Sequence, residues 1–350
     1  MKKSLNKFFI FFKIAAALLL TLYCLIETSL VQDAVYNSLM RCLNIVIPSL
    51  YGMMIMSMIL SKCGFFGLFS GVVPIFIVSQ FAGYPVGAKL LCSEYEKGRL
   101  SRRQAEIYSG VCFGAGPAFI FGCISSQLYG NISAGLTILI SVVLSNLILF
   151  IISSFFSVRE NVEQSKNKIE ISLEMITDSI LSGGRAMADI CFMISAFAII
   201  SSSIKHIGAV NRIASWISEF SDISSQRICG IFDAFLDVTN ISGVEHGDYL
   251  ILPVISGLVS FGGICVLMQI NAVTKGSIRI FPLLFFRSIA AALSTIICSL
   301  IMPFMLDTET VSAGNFAIHK ADSPVPSIML IFMTLILFSG FNDESKKREN

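Results

Sequence analysis

The sequence predicts an all-α, polytopic membrane protein of about eight spanning helices, with two further re-entrant, broken helices, laid out as an inverted repeat. Three observations carry that prediction: uncharged runs too long for a soluble core, glycine and proline clustered inside two apolar stretches, and a glycine-containing segment that occurs once in each half. Only 14% of the 350 residues are charged and 55% are hydrophobic, with a mean hydropathy of +0.79, whereas a soluble domain carries roughly a quarter charged residues. Ile107 to Val158 contains no Asp, Glu, Lys or Arg, and neither does Tyr249 to Thr274. Each pass needs about 20 apolar residues, so the first run holds two.

Taken in order, the apolar segments give candidate spans at Phe8–Ile26, Tyr36–Ser61, Gln104–Gln127, Asn131–Phe156, Leu173–Ser203, Leu250–Ala272, Pro282–Leu306 and Pro324–Phe341. Lys2, Lys3, Lys7 and Lys13 stand ahead of an apolar run ending near Ile26, with no small-x-small cleavage site after it; an uncleaved helix with a cytoplasmic basic end is expected. Phe65–Tyr84 is interrupted by Gly67, Gly71, Pro74 and Gly83 and followed by Pro85, and Ile228–Ile241 is short and carries Asp233 and Asp237. Irregular backbone at membrane depth survives only inside protein or beside a water-filled cavity, so both are expected to be re-entrant.

Gly110-Val-Cys-Phe-Gly-Ala-Gly-Pro-Ala-Phe aligns without gaps to Gly257-Leu-Val-Ser-Phe-Gly-Gly-Ile-Cys-Val. The chain accordingly divides into an N-terminal helix (1–29), a first repeat (30–157), a cytoplasmic linker (158–171), a second, inverted repeat (172–306) and a last helix with a basic tail (307–350). A unit of three spans must invert when used twice, a common transporter plan. The loop with Lys97, Arg99, Arg102 and Arg103 then falls in the cytoplasm with Lys275, Arg279 and Arg287, while the acidic Glu245–Asp248 loop falls outside. Lys205, Arg212 and Arg227 depart from this positive-inside pattern, which is statistical.

Candidate binding residues lie at the breaks. In Ser79-Gln-Phe-Ala-Gly-Tyr-Pro-Val-Gly-Ala-Lys89, Gly83, Pro85 and Gly87 oppose a continuous helix. A helix restarting at Tyr84–Pro85 would offer its N-terminus, with Lys89, to an anion. The same residues equally suit a tight turn with Lys89 snorkelling to the headgroups. In the second half, Asp237, Thr239 and Asn240 sit in an apolar setting, where an acid is costly unless paired or wet; solvation at the outer interface is the competing explanation. Gly114, Gly116, Gly262 and Gly263 suit close helix packing and could also expose carbonyls near Gln269. No metal site is expected, because the ten cysteines are scattered without CxxC or Cys/His spacing. GxSxG, HExxH, Walker A and GxGxxG patterns are absent, so no enzyme, catalytic residue or cofactor is expected. Without a basic stripe interleaved with aromatics, nucleic acid is not an expected partner.

The stretches GYPVGAKLLCSEYEKGRLSRRQAE, GVCFGAGPAFIFG, FLDVTNISG and SFGGICVLMQ resemble the YlbJ-like (SpoVV) sporulation integral membrane proteins, over roughly Val35 to Pro303. Asp237 stands where many of that family carry glutamate, and Asn240 is followed by isoleucine rather than glycine. The resemblance implies paired Gate, or nucleoside-recognition, domains and a role in endospore formation. It further implies delivery of dipicolinic acid across the outer forespore membrane of a bacterium.

The expectation is therefore a transporter of a small organic anion, with a mid-depth site between Tyr84–Lys89 and Asp237–Asn240. A proton or sodium ion is left open as coupling ion, and a homo-oligomer as assembly. A nucleoside or other organic-solute carrier is the nearest rival, and a non-transporting scaffold of the sporulation apparatus the rival from another class. A scaffold needs no broken helices.

Overall fold

The computed structural model describes residues 11, 14–15, 18–19, 21–68, 72–156, 171–220, 223–244 and 249–306. The candidate span Pro324–Phe341 and most of Phe8–Ile26 lie outside the described residues, as do the linker after Phe156 and the Glu245–Asp248 loop. Among the described residues every regular element is a helix, and there is no strand. Five stretches are long and apolar enough to cross a bilayer: Thr28–Lys62, Ile132–Phe155, Leu173–His206, Tyr249–Val273 and Ile280–Met305. The protein is thus a multi-pass membrane protein by length and composition of its helices.

The first half comprises α1 (Thr28–Arg41), a π-helix (Cys42–Val46), α2 (Ile47–Lys62), α3 (Val73–Ala82), α4 (Tyr84–Glu96), α5 (Arg102–Ser109), a turn Pro117–Phe119 running into a second π-helix (Ile120–Tyr129), and α6 (Ile132–Phe156). The second comprises α7 (Leu173–His206), α8 (Ala209–Glu219), α9 (Ser225–Leu236), a 3₁₀ turn (Val238–Gly243), α10 (Leu252–Phe261), α11 (Gly263–Val273) and α12 (Ile280–Met305). Both halves follow one order: a long helix, two interrupted ones, a long helix.

The expected span Gln104–Gln127 is not one helix. α5 stops at Ser109, and the chain is irregular until Pro117, where the positive φ of Gly116 (75°) sets a new direction. Leu250–Ala272 is likewise divided at Gly262 and Gly263, with φ of 87° and 83°, a region that L side chains rarely enter. Gly116 and Gly263 occupy the same position of the ungapped alignment, and each takes a positive φ.

Contacts between antiparallel helices define two ends. At one, Lys62 pairs with Asp178, Lys97 Nζ donates to Ser61 O at 3.0 Å, and Arg279 grips Glu106 through two bonds of 2.7 and 2.8 Å. Arg279 foremost, and then Arg102, hold the Glu106 carboxyl below the usual range against the effect of its burial. At the other end Tyr129 stacks on Tyr249 with centroids 5.4 Å apart, and Tyr23 meets His206.

Arg287, counted from sequence among the cytoplasmic charges and within the span Pro282–Leu306, lies two turns inside α12 and is fully buried. Its Nε donates to Ser260 O at 3.0 Å, its Nη1 to Gly110 O at 2.8 Å and to Asn146 Oδ1 at 2.9 Å, and its Nη2 to Ser260 Oγ at 3.0 Å. The guanidinium also stands 4.1 Å over the Phe113 ring, a favourable cation–π arrangement. It is buried without an acid, held by the carbonyls that the helix ends at Gly110 and Ser260 release.

Candidate functional site

Each break is built differently. At the first, Gly83 takes φ 91° and ψ 163° between α3 and α4, and Pro85 opens α4, where a missing N–H is harmless. Glycine at position 87 is required by contact: a Cβ there would stand 1.9 Å from Cys112 O. A Cβ at Gly114 would likewise meet Ser79 O at 2.7 Å. The irregular segment 110–116 is therefore pressed backbone against backbone onto α3 and α4. Asn146 completes the seal, its Nδ2 donating to Gln80 Oε1 at 2.9 Å and Phe113 O at 2.6 Å.

At the second break, Asp237 is extended (φ −145°, ψ 111°) between α9 and the 3₁₀ turn. Its Oδ1 accepts the Thr239 N–H at 3.0 Å, the cap that a short acidic side chain gives to a turn. A Cβ on Gly263 would lie 3.0 Å from Val238 N, so the second glycine segment nests on this break as the first does on Gly83. Asn240 accepts a hydrogen bond from Arg41, at the end of α1, and its Nδ2 reaches Asp233 O at 3.4 Å. Three buried polar atoms here lack a well-formed hydrogen bond among the described residues, Asp237 Oδ2, Thr239 Oγ1 and Arg41 Nε, although the Thr239 hydroxyl lies near enough to the Asp237 carboxyl to act on it. Such orphans are uncommon and mark a strained, wet or ligand-binding place.

The two breaks share a narrow cavity of about 20 Å³, reached by Tyr84 and Pro85 from one and by Val238 and Thr239 from the other. Gln269 of α11 and Ala115 of the glycine segment also line it, together with Ser49 and Leu50 of α2 and Ile190 and Ile194 of α7. That volume holds about one water. The Tyr84 hydroxyl crosses to the second half, donating to Val259 O at 2.9 Å. Gly262 admits this crossing, since a Cβ there would sit 2.6 Å from Phe113 Cζ and 3.4 Å from Tyr84 Cε1.

Of the residues singled out from sequence, Tyr84, Pro85, Thr239 and Gln269 come together at the cavity. Gly87, Gly114, Gly116, Gly262 and Gly263 are packing and turning positions around it. Asp237 and Asn240 flank Thr239 without lining the cavity. Lys89 lies beyond it, its Nζ 3.9 Å from Met58 Sδ on α2, and the charges acting on it include Lys62, Asp189 and Lys275. Gln269 Nε2 turns to its own helix, donating to Cys265 Sγ at 3.3 Å.

Sequence reasoning passed over Arg41 and Arg287 as site residues. Each is the lone charge in a long apolar run, Arg41 between Asp33 and Lys62 and Arg287 between Arg279 and Asp307. That isolation is itself a functional signal at membrane depth. No family pattern, characterised protein or solved structure matches the chain.

Proposed function

We propose that the protein is a membrane transporter of a small organic anion, working by alternating access between two inverted repeats. The observation that carries this reading is the convergence of both broken helices on one cavity, each break being seated on the glycine segment of its own half. Irregular backbone inside a membrane protein belongs beside cavities, and discontinuous helices at a repeat interface are where such carriers hold their solutes. The cavity is narrow, so the state described is one from which the halves must part to admit a solute. Lys62 and Lys275 bear on Lys89, with Asp189 opposing them, and this group of lysines toward the Lys62 end supports an anion as solute. Dipicolinate during endospore formation, at the outer forespore membrane, is the substrate and place suggested by the family resemblance. The largely apolar lining, with Thr239 and Gln269 as neutral hydrogen-bonding groups, favours a second reading, a nucleoside carrier.

Uptake of dipicolinate and of uridine into proteoliposomes separates the readings. We expect dipicolinate uptake to exceed uridine uptake; the reverse makes the protein a nucleoside carrier, and uptake of neither removes transport. For the inversion, single cysteines at Glu96 and Arg212 in a cysteine-free background should label from opposite sides of the membrane. Labelling from one side sinks the inverted arrangement.

A further inference from the structure

We propose that Arg41 and Asp237 form a proton-coupled anion site, in which Arg41 receives a carboxylate of the solute as Asp237 takes up a proton. The inference rests on the transport reading and adds its coupling ion and its charged residue. Arg41 is anchored on Asn240, the next residue along from the cavity-lining Thr239. One of its buried nitrogens, Nε, has no acceptor, and one oxygen of the fully buried Asp237 has no donor. The site therefore brings a vacant donor and a vacant acceptor, far apart in sequence, to the segment Asp237–Asn240 that flanks the cavity-lining Thr239.

Charge balance supplies the rest. The side chains whose charge bears on Asp237 are Arg41, Cys42, Tyr84 and Cys265, contributed by α1, the first π-helix, α4 and α11. Asp233, one turn earlier, is occupied by Ser201 Oγ at 2.9 Å and by Lys205. With Arg41 charged and Asp237 ionised the site is neutral. A carboxylate arriving at Arg41 adds a negative charge where water is scarce, and such a charge is expensive to leave uncompensated. A proton bound at Asp237 Oδ2 cancels it. It comes from water on the side where the anion enters and leaves to water where the anion exits; only that O–H bond is made and broken. A hard metal cation suits the place less well, because it gathers several oxygens, faces the charge of Arg41 and finds two unpartnered oxygens among the described residues.

The test is dipicolinate uptake into proteoliposomes with the potential clamped at zero, under an inward proton gradient, a sodium gradient or neither. Wild type should accumulate dipicolinate about tenfold for each unit of pH difference, the ratio that one proton per anion sets, and ignore sodium. Asp237→Asn should keep exchange of internal for external dipicolinate but lose accumulation. Arg41→Lys should retain part of the uptake and Arg41→Gln should lose it. Uptake by wild type that ignores the proton gradient, or follows sodium, overturns the coupling and leaves transport standing. Absence of any dipicolinate uptake overturns the transport reading and takes this inference with it. The gradient measurement needs no variant, so a failure of Asp237→Asn to fold does not shelter the proposal.

Discussion

The break at Gly83 and the break at Asp237 solve the same problem with different materials. The first is made of backbone: a left-handed glycine, a proline that needs no acceptor, and a neighbouring segment pressed so close that only glycine fits at position 87. The carbonyls freed in that neighbouring segment, Phe113 O and Gly110 O, are taken up by Asn146 and Arg287. The second is made of side chains: a carboxylate caps its own turn with one oxygen and leaves the other without a partner. A satisfied break suits a fixed wall, and on the proposed function an unsatisfied one suits a place where something binds. Substitutions at the first should therefore reduce stability, and those at the second should reduce function.

The largest loss is expected from Arg287→Met, which strips donors from Ser260, Gly110 and Asn146. Each buried acceptor left unpaired costs about 1–3 kcal/mol, only partly offset by no longer burying a charge. Thermal unfolding in detergent reads it; a variant as stable as wild type would show that the first break does not depend on Arg287. Gly87→Ala comes next, with overpacking worth about 1–3 kcal/mol. Gly122→Ala is its control, because nothing lies within 4 Å of a Cβ there, and it should stay within about 1 kcal/mol of wild type.

Thr239→Val tests the other side of the comparison. It removes an orphaned hydroxyl while keeping the shape, so stability should change by less than about 1 kcal/mol while anion uptake falls. A matched fall in stability would make the second break another wall.

The smallest effect concerns the pair that joins α5 to the start of α12. Glu106 has a lowered carboxyl pKa in the folded protein, so its contribution is complete above the ordinary glutamate value of about 4.3 and fades as pH falls through the folded value. Glu106→Gln should lose that contribution at neutral pH, by less than about 1 kcal/mol, and approach wild type at acid pH, which flattens the acid limb of the stability curve. An unchanged limb would assign acid sensitivity to other carboxylates.

Much of this contrast was legible in the residues. Gly83, Pro85 and Gly87 announce a break by what they cannot do in a helix, and the paired glycine segments each carry a glycine of positive φ, Gly116 and Gly263. The halves of Gln104–Gln127 were harder to separate, since an apolar run has the same composition whether its helix is continuous or interrupted. Lys89 was placed at the cavity from its nearness in sequence to Pro85, yet one further helical turn carries its side chain toward Met58. Arg287 was counted as one more cytoplasmic charge, because charge counting has no knowledge of two carbonyls and an amide waiting inside. Arg41 needed Asn240, far along the chain, to give it meaning.

The π-helix at Cys42–Val46 has a mechanical consequence. It stores one residue more than an α-helical turn requires. Returning it to α geometry would turn the preceding helix by about 100° and slide it by about 1.5 Å, the increments of a single residue. Arg41 is the first side chain to feel that rotation, which would carry it off Asn240 without breaking a span. Ser38 and Ser195, whose hydroxyls lie 3.0 Å apart, offer a brake: a disulfide from Ser38→Cys with Ser195→Cys would hold α1 in its present setting. Uptake stopped by oxidation and restored by reduction would show that the helix works as a ratchet, and uptake indifferent to the bond that it is a rod.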